Sequence, residues 1–235
     1  CFDHPNEKQT TELIVTAKAG NEAVSNGKLL DKKEDKAAGT VTFHWKQDKP
    51  HSSYLVTLVV GPFAMIEETW RGKPVRCYCQ PQYKDWLKGS FAHTSAMLEF
   101  FSTKIGVEYA WDQYAQIVCY GFGGGMENTS ATTLTDGTLF TDATENIHSS
   151  EGLVAHELAH QWFGDLVTCK DWSHIWLNEG FATFYESLYH AHKHGRDAML
   201  YELYGRARTI TGVADDTHAI VRRTYDDPGE MFSHL

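Results

Sequence analysis

Residues 151–164 read Glu151-Gly152-Leu153-Val154-Ala155-His156-Glu157-Leu158-Ala159-His160-Gln161-Trp162-Phe163-Gly164. Just before them, Ser149-Ser150-Glu151 offers a hydroxyl cap and a first-turn carboxylate that the helix dipole favours, so a helix is expected to start there. His156 and His160 are four apart, which puts both imidazoles on one helix face. Two nitrogens can then converge on a single ion, while Glu157 projects beside them toward a bound water. With 13 histidines in the chain, such a pattern arises by chance roughly 0.05 times. The plainer alternative, two satisfied histidines on a half-buried helix, stays open on this motif alone.

A catalytic zinc needs a third protein ligand. A second helical segment is expected over Trp176 to His194, with Glu179 near its start, and Gly164 and the polar segment through Asp171 can turn the chain so that the two helices lie side by side. His156, His160 and Glu179 then make a His₂Glu set with one position left for water. Glu186 follows Glu179 at a spacing of seven on the same face, placed to hydrogen-bond a ligating imidazole's other nitrogen; a surface carboxylate is the alternative. His190, His192 and His194 close that helix, where their charged forms suit its dipole.

Working outward, the first third reads as β. Glu12–Ala17, Thr40–Trp45 and Tyr54–Gly61 carry period-2 alternation with β-branched and aromatic enrichment. Asn26-Gly27 and the polar run Asp31–Lys36 are expected to form a solvated hairpin or loop. Another alternating strand spans Val75–Cys79. Spacing then becomes helical through Phe91, Leu98, Phe101 and Ile105, with Gly106 as terminator. Tyr114–Tyr120 is a short strand running into Gly121-Phe122-Gly123-Gly124-Gly125. A boundary is placed at residue 66, giving an α+β chain: a β-sheet segment over 1–66 and a mixed α/β part over 67–235.

Composition narrows the function. The chain has 235 residues, 42% hydrophobic and 22% charged, which is globular rather than disordered. Its formal net charge of −10 repels phosphate backbones, so nucleic acid is not expected as a partner. The most apolar stretch, Tyr54–Ile66, is interrupted by Thr57, Gly61 and Pro62 and falls short of the roughly 20 residues of a membrane helix. The five cysteines form no CxxC pair and read as mostly free thiols. Residue 1 is Cys and no basic-then-apolar leader follows it, so the expectation is a processed chain or a fragment, compatible with cytoplasm or export.

Two motifs carry a resemblance. His156-Glu157-Leu158-Ala159-His160-Gln161-Trp162-Phe163-Gly164, followed by Trp176-Leu177-Asn178-Glu179-Gly180-Phe181-Ala182, resembles the zinc signature of the aminopeptidase N family of gluzincin aminopeptidases. Upstream, Gly124-Gly125-Met126-Glu127-Asn128 is similar to that family's Gly-Ala-Met-Glu-Asn exopeptidase motif, with Gly125 where Ala is usual. Cys1-Phe2-Asp3-His4-Pro5 resembles a segment of the family's N-terminal β domain. The resemblance implies a saddle-like β domain on a thermolysin-like catalytic domain. It also implies one Zn²⁺, peptide substrates with a free α-amine, and substrate contacts from Gly124, Gly125, Met126, Glu127 and Asn128.

The residues read the same way physically. A glycine-rich strand end lets a peptide backbone approach and pair, and Glu127 supplies a carboxylate for an α-ammonium group. Zinc then activates water, with Glu157 as the base that passes the proton to the leaving amine. Family members use a tyrosine in a Tyr-x-Lys-Gly segment to stabilise the oxyanion, and no such segment occurs here; the role is not transferred to Tyr225. The chain is therefore expected to be cut at both ends. Two alternatives stand beside the aminopeptidase: a catalytically silent zinc- or peptide-binding fragment, and a zinc endopeptidase.

Overall fold

The computed structural model describes residues 4–141, 143–144, 147, 149–212 and 219–232. Cys1, Phe2 and Asp3 of the opening segment lie outside the described residues. The chain begins with β1 (Lys8–Lys18), β2 (Glu22–Ser25), β3 (Lys28–Asp35) and β4 (Thr40–Ser52), then a 3₁₀ turn at Ser53–Leu55 and β5 (Leu58–Gly61). β4 is central in a three-stranded antiparallel sheet, β1-β4-β3, and β2 pairs with β5. Alternation sets the faces: Val41, Phe43, Trp45 and Gln47 of β4 are buried between less buried neighbours.

One expectation is met and one corrected here. The run Asp31–Lys36 lies mostly in β3, the exposed arm of an antiparallel hairpin with β4. Its backbone is satisfied by β4 alone, so no apolar face is required and the pattern hides the strand. Tyr54–Gly61 is a turn followed by a four-residue strand.

A five-stranded sheet follows. It consists of β6 (Ala64–Trp70), β7 (Lys73–Cys79), β8 (Tyr114–Cys119), β9 (Gly125–Met126) and β10 (Ala131–Thr135), ordered β6-β7-β8-β10-β9. β7, β8 and β10 run parallel, while β6 and β9 are antiparallel edges. Between β7 and β8 come the short α1 (Leu87–Ser90) and α2 (Thr94–Ile105), which ends at Gly106 with φ 77°. α3 (Glu151–Ala159), α4 (Trp176–His194) and α5 (Arg196–Gly212) complete the chain's regular structure.

The parallel strands are covered on both faces, as such strands require. Ala115 and Ile117 of β8 pack with Phe43, Trp45, Val24 and Tyr78 against the N-terminal β region. Tyr114 and Val118, on the opposite face, join Leu98, Phe101, Val154, Leu158, Trp162 and Tyr189 of the helical layer. The architecture is thus an N-terminal β region followed by a mixed α/β region. Among the described residues the cysteines Cys77, Cys79, Cys119 and Cys169 are free, and no helix is long and apolar enough to cross a membrane.

Candidate metal centre and its surroundings

α3 starts where expected, though its cap differs: Ser149 Oγ accepts the Glu151 N–H at 3.1 Å, while Ser150 Oγ donates to the Ser90 carbonyl at 2.7 Å. α4 packs beside α3, and the pairing brings three side chains together. His156 Nε2 and His160 Nε2 are 3.1 Å apart, and Glu179 Oε2 lies 3.3 Å from the first and 3.4 Å from the second. Tetrahedral zinc with bonds of about 2.0–2.1 Å places its ligand atoms about 3.3–3.4 Å apart, so the donor triangle fits that ion.

The far side of each ring is also engaged. His160 Nδ1 lies 2.9 Å from the Phe163 carbonyl; a carbonyl only accepts, so Nδ1 carries a proton and Nε2 is the nitrogen turned to the triangle. His156 Nδ1 faces Glu186 Oε2 at 3.5 Å. Burial works against charge on His156, but hydrogen bonds to Glu179 and Glu186 outweigh it and raise its pKa to about 9. Glu179 is desolvated too, yet both imidazoles pull its pKa below the usual carboxylate range.

Glu157 is buried, and burial, reinforced by the charge of Glu127, raises its pKa to about 7. Its Oε2 has no hydrogen-bond partner among the described residues. A carboxyl poised near neutrality with an uncommitted oxygen has the properties of a general base. Gly125 packs directly against it: a Cβ at that position would collide with Glu157 Oε1. Glu127, Glu157 and His160 each bring a ligand atom within 4.8 Å of the other two, so the candidate amine anchor shares one cluster with the candidate base. Gly125 and Met126 form the edge strand β9, paired only with β10 among the described residues. Asn128 Oδ1 accepts from the Thr133 hydroxyl at 3.0 Å, and Gly124, with φ 71°, turns the chain into β9.

This geometry can be set beside known proteins. A profile of the Peptidase family M1 domain matches residues 90–234, and one of the Peptidase M1 N-terminal domain matches residues 1–55. The chain belongs to peptidase family M1. It is 37% identical to the glutamyl aminopeptidase of Rattus norvegicus over 199 residues, which is 80% of this chain and 20% of the rat protein. Against the Sus scrofa glutamyl aminopeptidase it is 35% identical over 212 residues, 86% of this chain and 22% of the other. Against the Arabidopsis thaliana aminopeptidase M1 it is 38% identical over 193 residues, 78% and 21%. The M1 chain therefore spans about a fifth of the length of these curated relatives.

Several further residues of the M1 chain shape the centre, some at the end of the zinc-signature run and some outside both motifs. Gln161 Nε2 donates to the Glu127 carbonyl at 2.9 Å, and its Oε1 accepts the Ser130 N–H at 2.8 Å. It thereby ties the anchor loop to the end of α3. Ser130 is held there at φ 62°. Asn26, from the N-terminal β region, donates to the carbonyls of Thr129 and Leu55 at 2.7 and 3.0 Å. Trp162 is buried, while Phe163 stacks between Phe181 and Tyr185, each 4.9 Å away.

Proposed function

We propose that this M1 chain carries the reaction centre of a zinc aminopeptidase, which hydrolyses the first peptide bond of substrates with a free α-amine. The observation that carries the proposal is the single cluster in which the donor triangle of His156, His160 and Glu179 adjoins both Glu157 and Glu127. When bound, zinc supplies Lewis acidity that makes water nucleophilic at neutral pH and polarises the scissile carbonyl. His156, His160 and Glu179 hold it, and Glu186 fixes the ring of His156. Glu157 takes the proton of the attacking water and gives it to the leaving amine.

Glu127 limits cutting to the first bond, because its carboxylate receives the α-ammonium of the same residue whose carbonyl is attacked. Gly124, Gly125, Met126 and Asn128 complete the substrate contacts, the free edge of β9 accepting the peptide backbone as an added strand. Relatives named for glutamyl substrates make a glutamyl amide one probe to include, beside an alanyl one.

The test is hydrolysis of alanyl and glutamyl 4-nitroanilides by the zinc-loaded chain, beside their N-acetylated forms and Glu157→Gln. Cleavage of free-amine substrates alone, reduced about 10²–10⁴-fold in the variant, is expected. Equal cleavage of the acetylated forms would instead indicate an endopeptidase. One bound zinc without turnover would make the chain a binding fragment.

A further inference from the structure

Tyr54 belongs to neither motif, yet its hydroxyl stands between them. It sits on the 3₁₀ turn Ser53–Leu55 at the end of β4. Asn178, the neighbour of Glu179, donates its Nδ2 to the Tyr54 oxygen at 3.1 Å. With that lone pair occupied, the phenol proton is directed at Glu127 Oε1, 3.5 Å away. The ring is set by Trp172, edge-on with centroids 5.0 Å apart. Burial, followed by the charges of Glu127 and Asp165, pushes the phenol's pKa far up, so it remains a neutral donor throughout the working range.

A second set of contacts builds the same connection. Asn26 Nδ2 bonds the Leu55 carbonyl and the Thr129 carbonyl together, and its Oδ1 accepts the Thr57 N–H at 2.9 Å. Gly27 N–H donates to Ser130 Oγ at 2.8 Å. The turn that presents Tyr54 and the loop that presents Glu127 are therefore clamped to each other, independently of the phenol.

We infer that Tyr54 is a positioning residue for the amine subsite: its hydroxyl holds Glu127 Oε1 and leaves the other oxygen turned toward an incoming α-ammonium group. The inference rests on the reading of Glu127 as the amine anchor. On this account the N-terminal β region supplies part of the substrate site.

The test is calorimetric binding of alaninamide and N-acetylalaninamide to the zinc-loaded chain, comparing wild type, Tyr54→Phe, Glu127→Gln and the double variant. Tyr54→Phe removes one oxygen and keeps the ring on Trp172. Alaninamide should bind about tenfold more weakly, as expected for one hydrogen bond to a charged group. N-acetylalaninamide affinity and zinc stoichiometry should stay unchanged, a split that general loosening of the fold does not produce. In the double variant, Tyr54→Phe should add nothing to Glu127→Gln, because the phenol acts through that carboxylate. Equal weakening of both probes, or of neither, overturns the inference. If Glu127→Gln abolishes the amine preference while Tyr54→Phe preserves it, the anchor reading survives and the inference falls. If the wild type shows no preference for the free amine, both fall.

Discussion

The pairing of α3 with α4 holds two pairs of histidines, each spaced four residues apart, beside acidic residues. In the first, His156 and His160 turn both Nε2 atoms onto one oxygen of Glu179, and their ring centroids are 4.7 Å apart. In the second, on α4, the centroids of His190 and His194 are 6.0 Å apart. Both Nε2 atoms face Glu151 Oε1, but unequally: His194 Nε2 is 2.7 Å from it and His190 Nε2 3.8 Å, while His190 Nδ1 goes to Glu202 Oε2 at 2.7 Å. Lys193 adds its ammonium to Glu151. The i,i+4 spacing thus permits convergence without securing it. In the first pair the far nitrogens are tied back by the Phe163 carbonyl and Glu186; in the second, a lysine already supplies the cation for the carboxylate.

The contrast breaks most sharply on metal affinity. Glu179→Gln replaces a charged ligand oxygen by a weak neutral one, and zinc affinity should fall by more than about 100-fold, the upper end for residues that merely support a ligand. His194→Gln should change it less than about twofold, since no converging donor is lost. Competition with a chromophoric zinc chelator measures both. A comparable loss in the two variants would show that the second pair binds metal as well.

A third environment sharpens the comparison by reversing its sign. His51, in β4, is fully buried, bonded to the Thr11 hydroxyl at 2.9 Å and facing Lys8 rather than a carboxylate. Burial, with the lysine charge, lowers its pKa from 6.5 to about 4. The unfolded chain therefore binds more protons than the folded one between those values. Stability is fully present above pH 6.5 and is lost as pH falls toward 4, by at most about 3 kcal/mol. His51→Gln should flatten that part of the urea-unfolding profile, read by tryptophan fluorescence across pH 4–7. An unchanged slope would mean that His51 is not the group that titrates.

The same comparisons show what sequence can and cannot carry. Glu179 and Glu186 were readable because a helix converts spacing into a face, and α4 runs over Trp176–His194 as its pattern predicts. The strand β10 was hidden, because Ala131-Thr132-Thr133-Leu134-Thr135 is buried by neighbours on both faces and needs no alternation. α5 leaves no pattern for a related reason, since none of its residues is buried and no apolar stripe is imposed. Tyr54 and Asn26 carry only local signals, of a strand and a turn, and none of their contacts at the centre. Their partners lie 124 residues away at Asn178 and 103 away at Thr129, beyond any local period, and only the packing of the β region on the sheet creates those contacts.

Arg206 joins the two histidine regions and gives a smaller expected loss than a ligand does. Its Nη2 donates to Glu186 Oε2 at 3.0 Å and to Glu202 Oε1 at 2.5 Å, and its Nε reaches the same Glu202 oxygen at 3.0 Å. One guanidinium therefore holds both the carboxylate behind His156 and the carboxylate behind His190. Arg206→Ala leaves Glu186 in place but free to turn, so zinc affinity should fall about tenfold, the lower end for loss of support behind a ligand. Arg206→Lys should restore only part of it, because a point charge cannot bridge two carboxylates as a planar fork does. If chelator competition shows no change in Arg206→Ala, the orientation of His156 is set by α3 and Glu186 alone, and the two regions are neighbours without being coupled.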